Sequence, residues 1–195
     1  ATGGEVRPVT AHPTSIQSFA LAPDGKTIAF LAAEETPAVK ADLRRKGFNQ
    51  EIYEEDRPFV LVWIIDTAGV AARKLDLTGS ASALRWSPEG GRLAVALAPT
   101  PLIDDEYMNC KIRVVEAATS KVAGEINTSG KFGEFEWSLD GKTIAVISAA
   151  DRNDPQQGRL TVASATGSAL RDLLPNLKGP VSALAWMDAN TVMYI

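Results

Sequence analysis

The segment Tyr53-Glu-Glu-Asp-Arg57 holds the residues whose types and spacing are best suited to chemistry. Glu54 and Glu55 are adjacent carboxylates, and Arg57 supplies a guanidinium group shortly after them. Carboxylates can hold the ammonium group of a ligand through charge-assisted hydrogen bonds, and a nearby arginine keeps them ionised. We therefore predict that Glu54, Glu55 and Arg57 bind a substrate. The alternative is a solvated loop whose surface ion pairs contribute little to stability.

A second acidic cluster, Asp104-Asp-Glu106, lies further along the chain. Its oxygens are of the type that binds a hard cation such as calcium. The three acidic residues are consecutive, however, and lack the alternating spacing of a calcium-binding loop. We therefore interpret this cluster as a solvated loop and predict no metal site.

Residues for catalysis are hard to find. The sequence contains no Gly-x-Ser-x-Gly, no phosphate-binding loop and no His-Glu-x-x-His. His12 is the only histidine, so a Ser-His-Asp triad would depend on it, and we interpret it as a solvated residue near the terminus. Cys110 is the only cysteine, which excludes an intrachain disulfide and a Cys/His zinc site. We predict no catalytic residue and no cofactor in these residues.

Charge and hydropathy exclude two classes of partner. The 195 residues include 24 acidic and 20 basic side chains, a net charge of −4, which gives no basic footprint for nucleic acid. The longest apolar run, residues 59–65, has the length of a strand and is far short of the ~18 residues of a membrane span. We expect neither nucleic acid nor a membrane as a partner. We expect a periplasmic or secreted location, with a cytoplasmic one left open, because a single thiol does not fix the compartment.

The elements that must position these residues are four copies of one hairpin pattern, at residues 19–30, 84–95, 135–146 and 184–195. Each copy reads as a short apolar strand, a tight turn and a second apolar strand. In two copies a proline presets φ at the first central position of the turn, and an acidic residue follows in the first three. A glycine then supplies positive φ at Gly25, Gly90 and Gly141, and Asn190 takes that place in the fourth copy.

The spacing of the copies predicts the fold. Trp86, Trp137 and Trp186 occupy one position of the pattern at intervals of 51 and 49 residues. A period of ~40–50 residues built of strands and turns is typical of a β-propeller with one blade per repeat. Third strands are predicted at residues 61–65, 111–115 and 159–163, and fourth strands at 72–77, 122–127 and 169–174.

We therefore predict an all-β, partial β-propeller with a single domain over residues 1–195. It would have about three full four-stranded antiparallel blades, a half blade at the end, and one short helix. Residues 4–10 resemble the fourth-strand segments and are interpreted as the outer strand of a further blade. Because the pattern stops in mid-blade, we expect a fragment of a longer protein or self-association through the open blade edges.

The first repeat is longer than the others, and its surplus lies between its second and third strands. We call residues 34–57 the arm, and half of them are charged. Thr36 is suited to be an N-cap, Pro37 to the first helical position and Gly47 to the position after the helix. These signals predict a short helix at about 37–46 on an arm that projects from the rim of one propeller face.

The sequence resembles the propeller of the prolyl oligopeptidase family of serine peptidases, including its acylaminoacyl-peptidase and dipeptidyl-peptidase branches. The resemblance covers nearly the whole chain, and the most telling part is residues 43–66, which look like the first-blade insertion of bacterial members. It implies a non-catalytic propeller that gates access and positions peptide substrates for an α/β-hydrolase domain, which is absent from these residues. In dipeptidyl-peptidases a Glu-Glu pair on the propeller binds the free amine of the substrate, and Glu54 and Glu55 are similar in type.

The Ser-Pro-Asp-Gly type of turn is also shared with TolB-like propellers. The alternative function is therefore a TolB-like propeller that serves as a scaffold for partner proteins. The arm favours the peptidase reading, because a simple TolB-like blade needs no such insertion.

Overall fold

The computed structural model describes residues 7–53, 57–69, 71–128 and 130–195, which fold into three four-stranded antiparallel sheets and one two-stranded sheet. Each sheet is one blade, and neighbouring strands in a blade follow one another along the chain. Blade 1 contains β1 (Ile16–Leu21), β2 (Thr27–Ala33), β3 (Val60–Asp66) and β4 (Arg73–Lys74). Blade 2 contains β5 (Ser80–Trp86), β6 (Arg92–Ala98), β7 (Lys111–Glu116) and β8 (Val122–Ile126).

Blade 3 contains β9 (Phe132–Trp137), β10 (Thr143–Ser148), β11 (Arg159–Ser164) and β12 (Arg171–Asp172). Blade 4 is the half blade of β13 (Leu184–Trp186) and β14 (Val192–Tyr194). Two helices interrupt the strands in the described ranges: α1 (Ala38–Arg45) follows β2, and α2 (Ile103–Met108) follows β6. The predicted partial propeller is confirmed, and α1 is the short helix predicted in the first-blade insertion, whereas α2 is an additional helix that was not predicted from the sequence.

The hairpin turns follow the predicted chemistry in the first three blades. Gly25, Gly90 and Gly141 have φ values of 69°, 74° and 68°. The prediction of the same conformation at Asn190 is wrong, since Ser120 is the only described residue other than glycine with positive φ. The fourth turn is one residue shorter, with Met187 N–H donating to the Thr191 carbonyl, whereas Ser87 N–H donates to the carbonyl of Arg92. The shorter turn needs no left-handed residue.

Apolar clusters fill the spaces between successive blades. Leu31 and Val62 of blade 1 pack with Leu93 and Val95 of blade 2. Corresponding clusters join blade 2 to blade 3 and blade 3 to blade 4. Because each blade buries its faces only against its neighbours, the blades must stack to be stable.

One hydrogen bond repeats at every junction between blades. The indole N–H of Trp86 donates to the carbonyl of Ala20 at 3.0 Å, and that of Trp137 to Arg85 at 3.2 Å. Trp186 donates in the same way to Glu136 at 3.0 Å. In each case the acceptor precedes the residue that occupies the tryptophan position in the previous blade. The repeated tryptophan therefore joins blades and does not form a surface for stacking a ligand.

The outer strands and the N-terminal segment differ from the predictions. β4 and β12 have only two residues each, far fewer than the six predicted at 72–77 and 169–174. Residues 4–6 of the predicted extra strand lie outside the described residues, and residues 7–10 form no strand. Val9 instead packs against the cluster of Phe30, Ala32 and Ile65, so this segment covers part of the free face of blade 1.

Apolar side chains remain exposed on both end blades. Phe19 and Leu21 are exposed on blade 1, and Met187, Met193 and Ile195 on blade 4. Self-association through these open blades therefore stays a prediction. No helix in the described ranges is long and apolar enough to cross a membrane.

Candidate functional site

The loops that join second to third strands gather at one end of the blades. In an antiparallel sheet these connections all leave from the same end, and the hairpin turns lie at the other. We call the first end the loop face. It carries the arm in blade 1, α2 in blade 2 and residues 149–158 in blade 3. We call the other end the turn face, and it includes the connections at residues 117–121 and 165–170.

The arm is closed at its base and shaped by local bonds. Glu34 N–H donates to the carbonyl of Phe59 at 2.8 Å, which fixes the two ends of the connection side by side. α1 ends as predicted: Gly47 has φ 92°, and the N–H groups of Gly47 and Phe48 donate to Arg44 and Leu43. This is the Schellman arrangement that satisfies the last helical carbonyls. The predicted N-cap is wrong, because Pro37 occupies that position and no side chain caps the helix.

The charges of the arm are largely paired with one another. Asp42 accepts Lys46 at 2.7 Å and Arg45 at 3.2 Å, and Arg44 lies 3.5 Å from Glu51. Exposed pairs of this kind contribute only about 0.2–1 kcal/mol each. The pair of Arg44 and Glu51 nevertheless links α1 to the residues that follow the helix, and the described part of the arm contains no strand.

The apolar side chains of the arm, in contrast, have little to pack against. None of the eight residues of α1 is buried. Val39 is 74% exposed and Tyr53 76%, and Leu43, Phe48 and Ile52 are also exposed. A contiguous exposed apolar patch on a soluble protein marks an interaction surface. The arm thus exposes five large apolar side chains on the loop face.

Of the three predicted substrate-binding residues, Glu54 and Glu55 lie outside the described residues. Arg57 is exposed, and its Nη1 lies 3.5 Å from the carbonyl of Pro101 in blade 2. This long hydrogen bond places the end of the arm beside the connection that contains α2. The predicted role of the three residues in binding remains a prediction.

The acidic cluster 104–106 forms the first turn of α2. Asp105 accepts the hydroxyl of Thr100 at 2.5 Å and the amide of Asn109 at 2.6 Å, and these two hydrogen bonds lower the pKa of its carboxyl. Its oxygens therefore serve the local fold. In the described ranges no group of three His, Cys, Asp or Glu side chains could hold a metal ion.

Sequence reasoning missed a small cavity beside α2. It measures about 220 Å³ and is lined by Ser82, Glu106, Tyr107, Lys131, Phe132 and Gln157. Lys131 Nζ lies 5.8 Å from the ring centroid of Tyr107 and donates to the carbonyl of Pro155 at 2.6 Å. The exposed Tyr107 extends the apolar surface of the loop face towards blade 3.

The two residues considered for catalysis are held in structural roles. His12 is half-buried and not solvated as predicted, because its ring packs edge-on against Trp63 at 4.6 Å and Phe30 at 5.3 Å. Cys110 is buried, and burial raises the pKa of its thiol to about 11, so it is a poor nucleophile near neutral pH.

Known proteins resemble this chain in fold alone. No protein-family model matches the sequence, and no curated protein sequence is similar to it. The structure is similar to a crystal structure of a eukaryotic initiation factor, with 12% identity and a TM-score of 0.51 over 83% of this chain and 33% of that chain. It is also similar to TolB from Acinetobacter baumannii, with 14% identity and a TM-score of 0.52 over 85% of this chain and 32% of that chain. The chain therefore spans about a third of the length of each.

Proposed function

We propose that this chain is a non-catalytic propeller scaffold that binds a polypeptide with its loop face. The observation that carries the proposal is the arm, which exposes five large apolar side chains around a helix with no buried residue. The fold provides a rigid base, because the arm leaves and re-enters blade 1 at the hydrogen-bonded pair of Glu34 and Phe59.

The chemistry of the arm suits a polypeptide partner. Interfaces between proteins combine apolar side chains, especially aromatic ones, with a polar rim. Phe48 and Tyr53 supply aromatic area, and α1 carries paired charges in the same arm. Arg57 and Tyr107 continue the surface onto blade 2, which widens the area available to a partner.

We further propose a finer role, which rests on the resemblance to prolyl oligopeptidase-like serine peptidases. In this role the loop face points towards an α/β-hydrolase domain of a longer protein, gates access to it and positions peptides. Glu54, Glu55 and Arg57 would hold the amino end of the substrate. A periplasmic or secreted location belongs to the same proposal.

A TolB-like scaffold for partner proteins is the second candidate. The structural similarity to TolB supports it at the level of fold. In this case the arm would bind a folded partner, and Glu54 and Glu55 would be solvated side chains.

The carboxylates distinguish the two roles. In the longer peptidase, Glu54→Gln or Glu55→Gln is expected to raise KM for free-amine peptides by about one to two decades, because a charge-assisted hydrogen bond contributes roughly 1.5–3 kcal/mol. Peptides with a blocked amino end should be affected much less. Steady-state kinetics on matched free and blocked peptides measures both.

Glu51→Gln is the matched control, because Glu51 lies in the same arm and pairs only with the exposed Arg44 among the described residues. It should leave KM unchanged for both kinds of peptide. Equal effects of the Glu54 and Glu55 variants on free and blocked peptides would contradict substrate binding by the pair and would favour the scaffold role.

A further inference from the structure

A cavity of about 710 Å³ lies between the outer parts of blades 2 and 3, away from the arm. Its lining includes Asn127 from blade 2, and Ser148, Arg159, Thr161 and Asp172 from blade 3. A volume of 300–1,000 Å³ with a few convergent polar groups is typical of a small-molecule site.

The cavity exists because blade 3 has a small residue where the other blades have large ones. Thr161 pairs with Val146, as Arg113 pairs with Val95 and Trp63 with Phe30. These three positions therefore correspond, and each faces the preceding blade. Trp63 fills its space against His12, and Arg113 fills its own with an ion pair to Glu125 at 3.0 Å. Thr161 leaves the corresponding space open.

The buried floor of the cavity is polar. Ser148 is 1% exposed and Thr161 is 6% exposed. Thr161 Oγ1 donates to the carbonyl of Val146 at 3.0 Å, and the Ser148 hydroxyl lies 3.2 Å from Thr161 Oγ1. With the Thr161 proton used in this way, the Ser148 hydroxyl donates to Thr161 and its own oxygen is left to accept a donor.

One positive and one negative group flank this floor. Arg159 is two residues from Thr161 on β11, and Asp172 pairs directly with Thr161 from β12. Residues two apart on a strand share a face and are separated by about 6.6 Å, so a small molecule above Thr161 would reach both charges. Among the described residues neither Arg159 nor Asp172 has an ion-pair partner within 4.0 Å.

We propose that this cavity binds the zwitterion of a small α-amino acid, with its carboxylate on Arg159 and its ammonium group on Asp172. Among the residues that line the cavity Arg159 is the one cation, whereas Asp172 and Glu125 are acidic, which disfavours phosphate. The residues that line the cavity include no aromatic side chain on which a sugar could stack. Ala149, Ala169 and Leu170 leave room for a short aliphatic side chain.

The proposal is tested by titrating the purified chain with L-alanine and following amide chemical shifts by NMR. N-acetylalanine lacks the ammonium group and alaninamide lacks the carboxylate, so each should bind at least about tenfold more weakly than alanine. Arg159→Gln should weaken alanine by a similar factor and leave alaninamide unchanged, because the charge that it removes has no partner on that ligand. Asp172→Asn should likewise weaken alanine and leave N-acetylalanine unchanged.

Arg171→Gln is the matched control, because Arg171 pairs with Val162 and faces the opposite side of blade 3. It should bind alanine as the unmodified chain does. Thr161→Trp copies the residue of blade 1 and should abolish binding, with the Arg159 and Asp172 variants deciding the outcome if this variant does not fold. Unchanged shifts around the cavity at saturating millimolar alanine, or equal binding of all three ligands, would overturn the proposal. Both results are independent of the arm.

Discussion

Replacing Trp137 with alanine is expected to lower the free energy of unfolding by about 3–5 kcal/mol, as for other large buried aromatic side chains. Trp137 is 5% exposed and belongs to the cluster that joins blades 2 and 3. Its indole also donates to Arg85, and the guanidinium of Arg92 lies 5.1 Å from its ring centroid. The substitution removes all three interactions at one junction. Urea denaturation followed by circular dichroism measures the loss.

Two further variants separate packing from hydrogen bonding. Trp137→Phe keeps most of the apolar area but leaves the Arg85 carbonyl without its donor, so it should cost about 1–3 kcal/mol. Leu139→Ala is the control, since Leu139 is exposed in the adjacent turn and should change stability by less than about 0.5 kcal/mol. A loss below about 1 kcal/mol for Trp137→Ala would contradict the account of how blades are joined.

Replacing Gly124 with alanine is expected to destabilise the same junction by about 3 kcal/mol, the upper end for overpacking. A Cβ atom at this position on β8 would meet the carbonyl oxygen of Ala165 and lie 2.7 Å from the carbonyl carbon of Thr166. These are backbone atoms of blade 3, so no side chain can rotate away and the blades must separate. The free energy of unfolding from urea denaturation measures this cost.

Gly179→Ala is the matched control for this substitution. Nothing lies within 4 Å of a Cβ atom added at Gly179, and its φ is not positive. It should leave stability unchanged or raise it by about 0.4–1 kcal/mol through the unfolded chain. If Gly124→Ala behaves like this control, blades 2 and 3 are not in close contact at their outer strands.

The hairpins could be predicted because their signals are local. Turn type depends on φ at single residues, and the sequence indicates the positive φ of each turn by a glycine, at Gly25, Gly90 and Gly141. The apolar second and third strands were also found within a residue or two. The end of α1 could also be predicted, because Gly47 has a φ of 92° and glycine is the residue type that adopts this value without strain.

Features that depend on contacts between residues far apart in the sequence could not be predicted in this way. β4 and β12 have two residues each, whereas the outer strand β8 has five, and the composition of residues 72–77 and 169–174 does not show this difference. α2 is a helix of only six residues, which is a short pattern to detect. Its acidic first turn is nevertheless a signal for the start of a helix. His12 was misplaced because its packing partners, Phe30 and Trp63, lie far away in the sequence.

The candidate sites divide in the same way. The arm was recognised from its charge and capping residues, but the exposure of Val39 and Tyr53 is known only from the structure. The cavity between blades 2 and 3 required the alignment of Trp63, Arg113 and Thr161, which follows from strand register. The small residue at Thr161 was visible in the sequence, but its consequence was not.

The most direct test of polypeptide binding by the loop face is hydrogen–deuterium exchange of the purified chain with a short peptide that has a free amino terminus. The account predicts slower exchange in the arm, residues 34–57, and around α2, with unchanged exchange in the turn-face connections at 117–121 and 165–170. Mass spectrometry of the same sample should show the peptide intact. Protection on the turn face alone, no protection anywhere, or cleavage of the peptide would contradict a non-catalytic scaffold that binds polypeptides through its arm.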